Sequence, residues 1–177
     1  MARESRALLL SDQRRSFDTK DLVDHIERIT KERMAQEDVV SLSAFRAKQP
    51  KDVPYHLLLI EDDETVRKAM RKIFESDGYR VIAASDGSQL SEVLGDHPID
   101  LIILDIGLPW INGYELALLM KSHVDLKRIP LIFVSARTAQ DDMKKAFKVG
   151  ADDYIKKPFE IEKIKKAVKT LITLAHE

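Results

Sequence analysis

Four polar landmarks recur along the last two-thirds of this chain, each at the end of a short apolar run. Glu61-Asp62 follows His56-Leu57-Leu58-Leu59-Ile60, and Asp105 follows Leu101-Ile102-Ile103-Leu104. Ser135 follows Leu131-Ile132-Phe133-Val134, and Lys157-Pro158 follows Asp153-Tyr154-Ile155-Lys156. Carboxylates, a hydroxyl and an ammonium brought to one rim could build a site for Mg2+ and a phosphoryl group. A carboxylate accepts a phosphoryl group as an acyl phosphate, provided it is ionised and exposed. The metal for such a transfer must be hard and oxygen-ligated, and Mg2+ asks for one or two carboxylates while keeping several waters. Asp62 and Asp105 suit direct ligation, with the main-chain carbonyl of Gly107 as a third ligand and Glu61 acting through water. Carboxylates crowded together repel one another, which raises their pKa values unless a cation intervenes. Lys157, a compact and movable point charge, would offset that repulsion and then grip a phosphoryl oxygen. Ser135 could donate to another phosphoryl oxygen, so its position would depend on the phosphate.

These residues need strand ends to hold them. From Pro54 onward, apolar runs of four or five alternate with helix-period segments. Strands are predicted at His56–Ile60, Arg80–Ala84, Asp100–Leu104, Ile129–Val134 and Asp153–Ile155. Helices are predicted near Glu64–Ser76, Gly87–Gly95, Asn112 or Gly113 to Ser122, Ala139–Val149 and Ile161–Leu174. Gly78 and Gly150 stand where helix-ending glycines belong. Five βα units argue a parallel sheet covered on both faces, and continuous apolar strands such as Leu57–Ile60 fit that burial. Right-handed crossovers then restrict the topology to a doubly wound α/β sheet. Such sheets bind ligands beyond the carboxyl ends of their strands, where the polar landmarks fall.

The first 50 residues differ. A helix over about Lys20–Met34, capped by Asp18, would carry a narrow apolar stripe of Leu22, Ile26 and Ile29. That stripe would pack on the domain that follows or on a second copy of the chain. Val39, Val40, Leu42 and Phe45 suggest another short segment. The expected division is a helical extension over 1–48, a proline-bearing linker over 49–54 and the α/β domain over 55–177. Of 29 basic and 30 acidic residues, residues 1–52 hold 11 and 10, so neither part is a polybasic nucleic-acid binder. No cysteine is present, which excludes disulfides and thiolate metal sites. No run approaches the roughly 20 apolar residues of a membrane span, and a cytoplasmic location is expected.

As a set, these motifs resemble the receiver domain of two-component response regulators. They are Leu59-Ile60-Glu61-Asp62-Asp63, Leu104-Asp105-Ile106-Gly107-Leu108-Pro109 with Gly113, Val134-Ser135-Ala136, Gly150-Ala151-Asp152-Asp153-Tyr154 and Lys157-Pro158-Phe159. The resemblance covers residues 54–177. It implies a flavodoxin-like five-stranded sheet of order 2-1-3-4-5, with Asp105 as phosphoacceptor. Asp62 would bind Mg2+ directly and Glu61 through water, while Asp63 aligns with a variable position. Ser135 would be the switch hydroxyl, and Tyr154 the aromatic that turns inward once Ser135 moves. Lys157 would contact the phosphoryl group through a segment with a cis bond to Pro158. Implied partners are a histidine kinase or phosphotransfer protein and a downstream protein target. The domain would catalyse its own phosphorylation and dephosphorylation and turn over no external substrate.

Plainer readings stand beside these. Ser135 alone could cap the helix that begins near Ala139, and Tyr154 alone could be a packing aromatic. Trp110 reads as an apolar plug over the Pro109 loop, and His25 as an exposed helix residue. The lysines of the last two helices read as a solvated face, or as a docking face ion-paired with Asp152 and Asp153. Only three residues follow Leu174, so output is expected through protein contact rather than through DNA. A Mg2+-dependent aspartyl phosphohydrolase is a rival, but it wants a second acid where Gly107 stands. A phosphorylation-independent scaffold of receiver shape is another, and the intact acidic, hydroxyl and lysine positions argue against it.

Overall fold

Side chains alternate across the central strands, and the two sets build two separate cores. Leu58, Ile60, Ile102, Leu104, Leu131 and Phe133 point to one face of the sheet, and Leu57, Leu59, Leu101, Ile103, Ile132 and Val134 to the other. The period of two in a pleated strand produces this split. The computed structural model describes residues 19–35, 53–95 and 97–177. In chain order the described elements are α1 (Thr19–Ala35), β1 (His56–Ile60), α2 (Glu64–Ser76), β2 (Arg80–Ala84), α3 (Gly87–Val93), β3 (Leu101–Asp105), α4 (Gly113–Ser122), β4 (Leu131–Ser135), α5 (Gln140–Lys148), β5 (Asp153–Lys156) and α6 (Ile161–His176). The five strands form one sheet in the order β2-β1-β3-β4-β5, and every pairing is parallel. That is the topology expected from the βα alternation and the resemblance.

Helices α2 and α6 cover one face through Met70, Phe74, Ile164, Val168 and Ile172. Helices α3, α4 and α5 cover the other through Leu90, Leu116, Ala117, Met120 and Ala146. Local signals start and stop these helices. Asp63 caps α2 by accepting from the amides of Thr65 and Val66, and Asn112 caps α4 through the amide of Tyr114; such caps contribute about 1 kcal/mol each. Gly78 and Gly150 adopt positive φ where α2 and α5 end.

The extension helix is not a free arm. Leu22 is fully buried and Ile26 is 4% exposed, both within the core that contains Leu90 and Met120. The carbonyl of Ile26 lies 3.2 Å from Nε2 of His123, just past α4. The stripe therefore packs on the domain that follows it, which decides between the two partners left open above. The Ile29 side chain, the Asp18 cap, the segment around Val39–Phe45 and residues 49–52 lie outside the described residues.

At the amino-terminal edge of the sheet, Asp100 is buried between two imidazoles. Its Oδ2 accepts the His56 amide at 2.8 Å and lies 3.7 Å from His56 Nδ1, while Oδ1 lies 3.4 Å from His176 Nε2 on α6. Burial lowers the His56 pKa; Asp100 opposes this, and Arg80 and His97 add to the lowering.

Two measurements test this account. Leu22→Ala should lower stability in urea by about 2 kcal/mol through lost burial and a residual cavity; an unchanged midpoint would mean that α1 is not seated. His56 is held neutral in the fold, so the unfolded chain binds the extra proton. Stability should therefore fall as pH drops through the unfolded value of 6.5 toward the lowered folded one. His56→Gln should shrink that slope, as read from urea midpoints across pH 8 to 5.5.

Candidate functional site

Parallel register brings the landmarks to one rim. Ile60 pairs with Ala84 and Leu104, Asp105 with Val134, and Ser135 with Lys156, so Glu61, Asp105, Ser135 and Lys157 leave neighbouring strands at the same edge. The Lys157–Pro158 bond is cis, as expected. Lys157 Nζ lies 2.6 Å from Glu61 Oε2 and 2.8 Å from Asp105 Oδ2. One ammonium thus bridges two carboxylates that are 96 and 52 residues away in sequence.

Glu61, Asp62 and Asp105 can place one carboxylate oxygen each within 4.8 Å of one another, the sole such grouping of His, Cys, Asp and Glu among the described residues. Three carboxylates and no nitrogen or sulfur donor make a set for a hard divalent cation such as Mg2+. Glu61 is 2% exposed, and that burial raises its pKa against the Lys157 hydrogen bond, which lowers it. Burial alone would lower the Lys157 pKa, but its hydrogen bonds to Asp105 and Glu61 prevail and raise it. Asp105 is more enclosed than a freely exposed nucleophile, at 9%. Its Oδ1 accepts the amide of Gly107 at 2.9 Å. A Cβ at position 107 would stand 3.6 and 3.9 Å from the two Asp105 oxygens, so the glycine leaves one approach to the carboxylate open.

Gly113 holds the loop after Asp105 in place. A Cβ there would meet the Ile106 Cα at 2.5 Å and the Asp105 carbonyl oxygen at 2.7 Å. On the same loop, half-buried Trp110 packs against the core and donates from Nε1 to the Ser85 carbonyl at 3.2 Å. The plug expected from sequence therefore also has a polar tie.

Two expectations, the Ser135 cap and the pairing of Asp152, need correction. Ser135 does not cap α5. The cap residue is Ala139 without a side-chain bond, and Ser135 Oγ instead accepts the Arg137 amide at 3.1 Å. Tyr154 is buried in this structure, and its hydroxyl donates to the Arg137 carbonyl at 2.8 Å, with burial raising its pKa. Asp152 pairs with Lys121 of α4 rather than with the lysines of α5 or α6, and it also accepts the Leu131 amide. His25 is not brought to the rim; Arg28 donates to its Nδ1 on α1.

Sequence reasoning passed over two groups. Tyr114 donates to Asp142 of α5, and its pKa is pushed up to about 12, first by burial and then by the Asp142 charge. An aromatic at the second position of a helix carries no such signal. Arg67 donates to the carbonyls of both Glu61 and Asp62. Its place one turn into the helix after the acid pair does not mark the contact in the sequence.

The structure is thus a doubly wound sheet with an acidic cluster and a bridging lysine at its carboxyl edge. The family model for the response regulator receiver domain matches residues 57–169. The chain belongs to that family, the receivers of two-component signalling. It is 38% identical over 104 residues to the aerobic respiration control protein ArcA of Escherichia coli K12, covering 59% of this chain and 42% of that protein. The chain spans about half the length of the curated relatives it matches. The non-phosphorylated HemR receiver domain of Leptospira biflexa superposes with a TM-score of 0.62 at 29% identity, covering 67% of this chain and 94% of that one. The receiver domain of the Pseudomonas aeruginosa sensor histidine kinase PA1611, solved with a magnesium ion coordinated in its active-site cleft, gives a TM-score of 0.62 at 26% identity, covering 68% and 99%. No described helix is long and apolar enough to cross a membrane.

The loop packing has a measurable consequence. Gly113→Ala should destabilise the fold by about 2 kcal/mol or more, because backbone rather than a flexible side chain lies in the way. A urea midpoint within error of the parent would contradict the close approach.

Proposed function

We propose that this chain is a phosphorylation-controlled signalling switch whose phosphoacceptor is Asp105. The observation that carries this reading is the Lys157 ammonium held between Asp105 and Glu61, with Asp62 beside them. A carboxylate oxygen of Asp105 attacks phosphorus. The bond to the donor breaks, and a partner's phosphohistidine leaves as imidazole after taking up a proton, or a small acyl phosphate leaves as its carboxylate. An acyl phosphate remains on Asp105. Asp62, Asp105 and the Gly107 carbonyl would hold Mg2+ directly, with Glu61 acting through water. Bound there, the ion supplies charge neutralisation of the phosphoryl oxygens in a loose transition state. Lys157 exchanges a carboxylate partner for a phosphoryl oxygen, and Ser135 donates to another.

Phosphorylation adds about −1.5 to −2 charge at this rim. The Ser135 hydroxyl then gives up the Arg137 amide, and the loop held by Tyr154 and Tyr114 shifts with it. This is a redistribution between two states that changes the surface of α5, β5 and α6. The partners are a histidine kinase or phosphotransfer protein upstream and a protein target downstream, on the cytoplasmic side. Self-association through α1 is disfavoured because Leu22 and Ile26 are buried in the chain's own core. A hydrolase reading lacks its acid, since Gly107 stands two residues past Asp105.

The test is acetyl phosphate labelling with Mg2+, read by intact mass. The parent chain should gain one phosphoryl group, and Asp105→Asn should lose nearly all of that gain. Undiminished labelling of the variant would refute the assignment of Asp105.

A further inference from the structure

The acidic loop is gripped from behind as well as from across the rim. We propose that Arg67 is a positioning residue that aims the Asp62 carboxylate at the metal site, an inference that rests on the phosphoacceptor reading above. Its Nη1 donates to the Glu61 carbonyl at 2.9 Å and to the Asp62 carbonyl at 3.0 Å. Those oxygens belong to the two successive peptide planes that flank the Asp62 Cα. Fixing both planes fixes the direction in which the Asp62 Cα–Cβ bond leaves the backbone.

The rest of the loop is tied as well. The Glu61 amide donates to the Ala84 carbonyl at 3.1 Å, and the Asp63 amide to Glu61 Oε1 at 3.3 Å. The Asp63 side chain caps α2. By contrast, the carboxylate of Asp62 is exposed and makes no hydrogen bond or ion pair among the described residues. Its aim depends on the backbone beneath it. Arg67 stands on a firm base, since its own amide donates to the Asp63 carbonyl at 2.9 Å.

The residue type matters. One guanidinium nitrogen carries two hydrogens in a fixed plane, so it can serve two adjacent carbonyls at once, whereas an ammonium has no such preset fork. A purely electrostatic role would have the opposite sign. A cation beside a metal site repels the metal, so neutralising it would tighten binding. Loss of a group that orients a ligand instead weakens metal affinity by about 10–100-fold.

The experiment titrates Mg2+ into the full chain and into its Arg67→Lys and Arg67→Gln variants, following amide NMR shifts at residues 61–63 and 105. The spectra also report whether each variant is folded. Both variants are expected to bind Mg2+ about tenfold more weakly or worse. Acetyl phosphate labelling should recover in both at saturating Mg2+, which places the defect in metal binding rather than in transfer. Parental or tighter affinity in Arg67→Gln would overturn the proposal, as would parental affinity in Arg67→Lys, since the two-pronged guanidinium grip would then be dispensable. Absence of any Mg2+ response in the parent chain would overturn the phosphoacceptor reading itself, and this proposal with it.

Discussion

Everything at the rim turns on one ammonium shared by two carboxylates that the fold itself forces together. Glu61 and Asp105 end adjacent parallel strands, so their approach follows from register rather than from any attraction between them. At about 4 Å, and an effective dielectric near 20, two unit charges interact by roughly 4 kcal/mol. That exceeds the roughly 0–1 kcal/mol of an exposed ion pair, so the repulsion cannot be left uncompensated. Lys157 supplies the compensation, and the reciprocal pKa pattern agrees with it: burial raises Glu61, while the two carboxylates keep Lys157 charged despite burial. A site balanced in this way is primed for exchange. A divalent cation held by these carboxylates would offset the same repulsion and loosen their hold on the ammonium.

The scaffold keeps that balance from relaxing. Gly113 lets α4 press against Ile106, and the Trp110–Ser85 bond ties the same loop to the turn before α3. Across the rim, the segment after Ser135 is held at three points. Its Arg137 amide meets Ser135 Oγ, its Arg137 carbonyl meets the Tyr154 hydroxyl, and Asp142 meets the Tyr114 hydroxyl. Phe133 stands between the two tyrosine rings, with centroids 5.5 Å from Tyr114 and 6.4 Å from Tyr154. Displacing Ser135 therefore disturbs a small packed unit rather than one hydroxyl. Packed units of this kind favour discrete alternatives over gradual deformation.

Much of this was legible in the amino-acid pattern because the central strands are buried on both faces. Such strands read as unbroken apolar runs, and their ends mark the rim. Errors at the edges have local causes. The fourth strand was expected from Ile129 but begins at Leu131, because Pro130 has no amide to give the ladder and the Ile129 amide closes a turn on Leu126. The fifth helix was expected from Ala139, which is instead its cap. The pattern could not say that Asp152 would meet Lys121, or that Tyr154 would be buried. Both depend on which helix lands beside which strand. Arg67 was invisible for a different reason. Its partners are carbonyl oxygens, and every residue carries one, so no sequence pattern marks the contact.

The seating of α1 shows what a weak pattern can conceal. Two or three apolar residues at helical spacing contain no information about what they cover, and a polar helix with so narrow a stripe has little stability alone. The stripe finds its place in the apolar cluster that holds Leu90 of α3 and Met120 of α4, where Leu22 is fully buried. The family match begins only at residue 57, so this packing is added to the receiver rather than inherited from the matched segment. Ile106 and Leu108 of the loop after Asp105 belong to the same apolar cluster as Leu22 and Ile26. The added helix thus rests on a core that this loop also helps to build. Contiguity of this kind becomes coupling only if the loop packs differently in its two states. In that case linkage makes it reciprocal: whatever seats α1 more firmly also biases the loop toward the state that seats it.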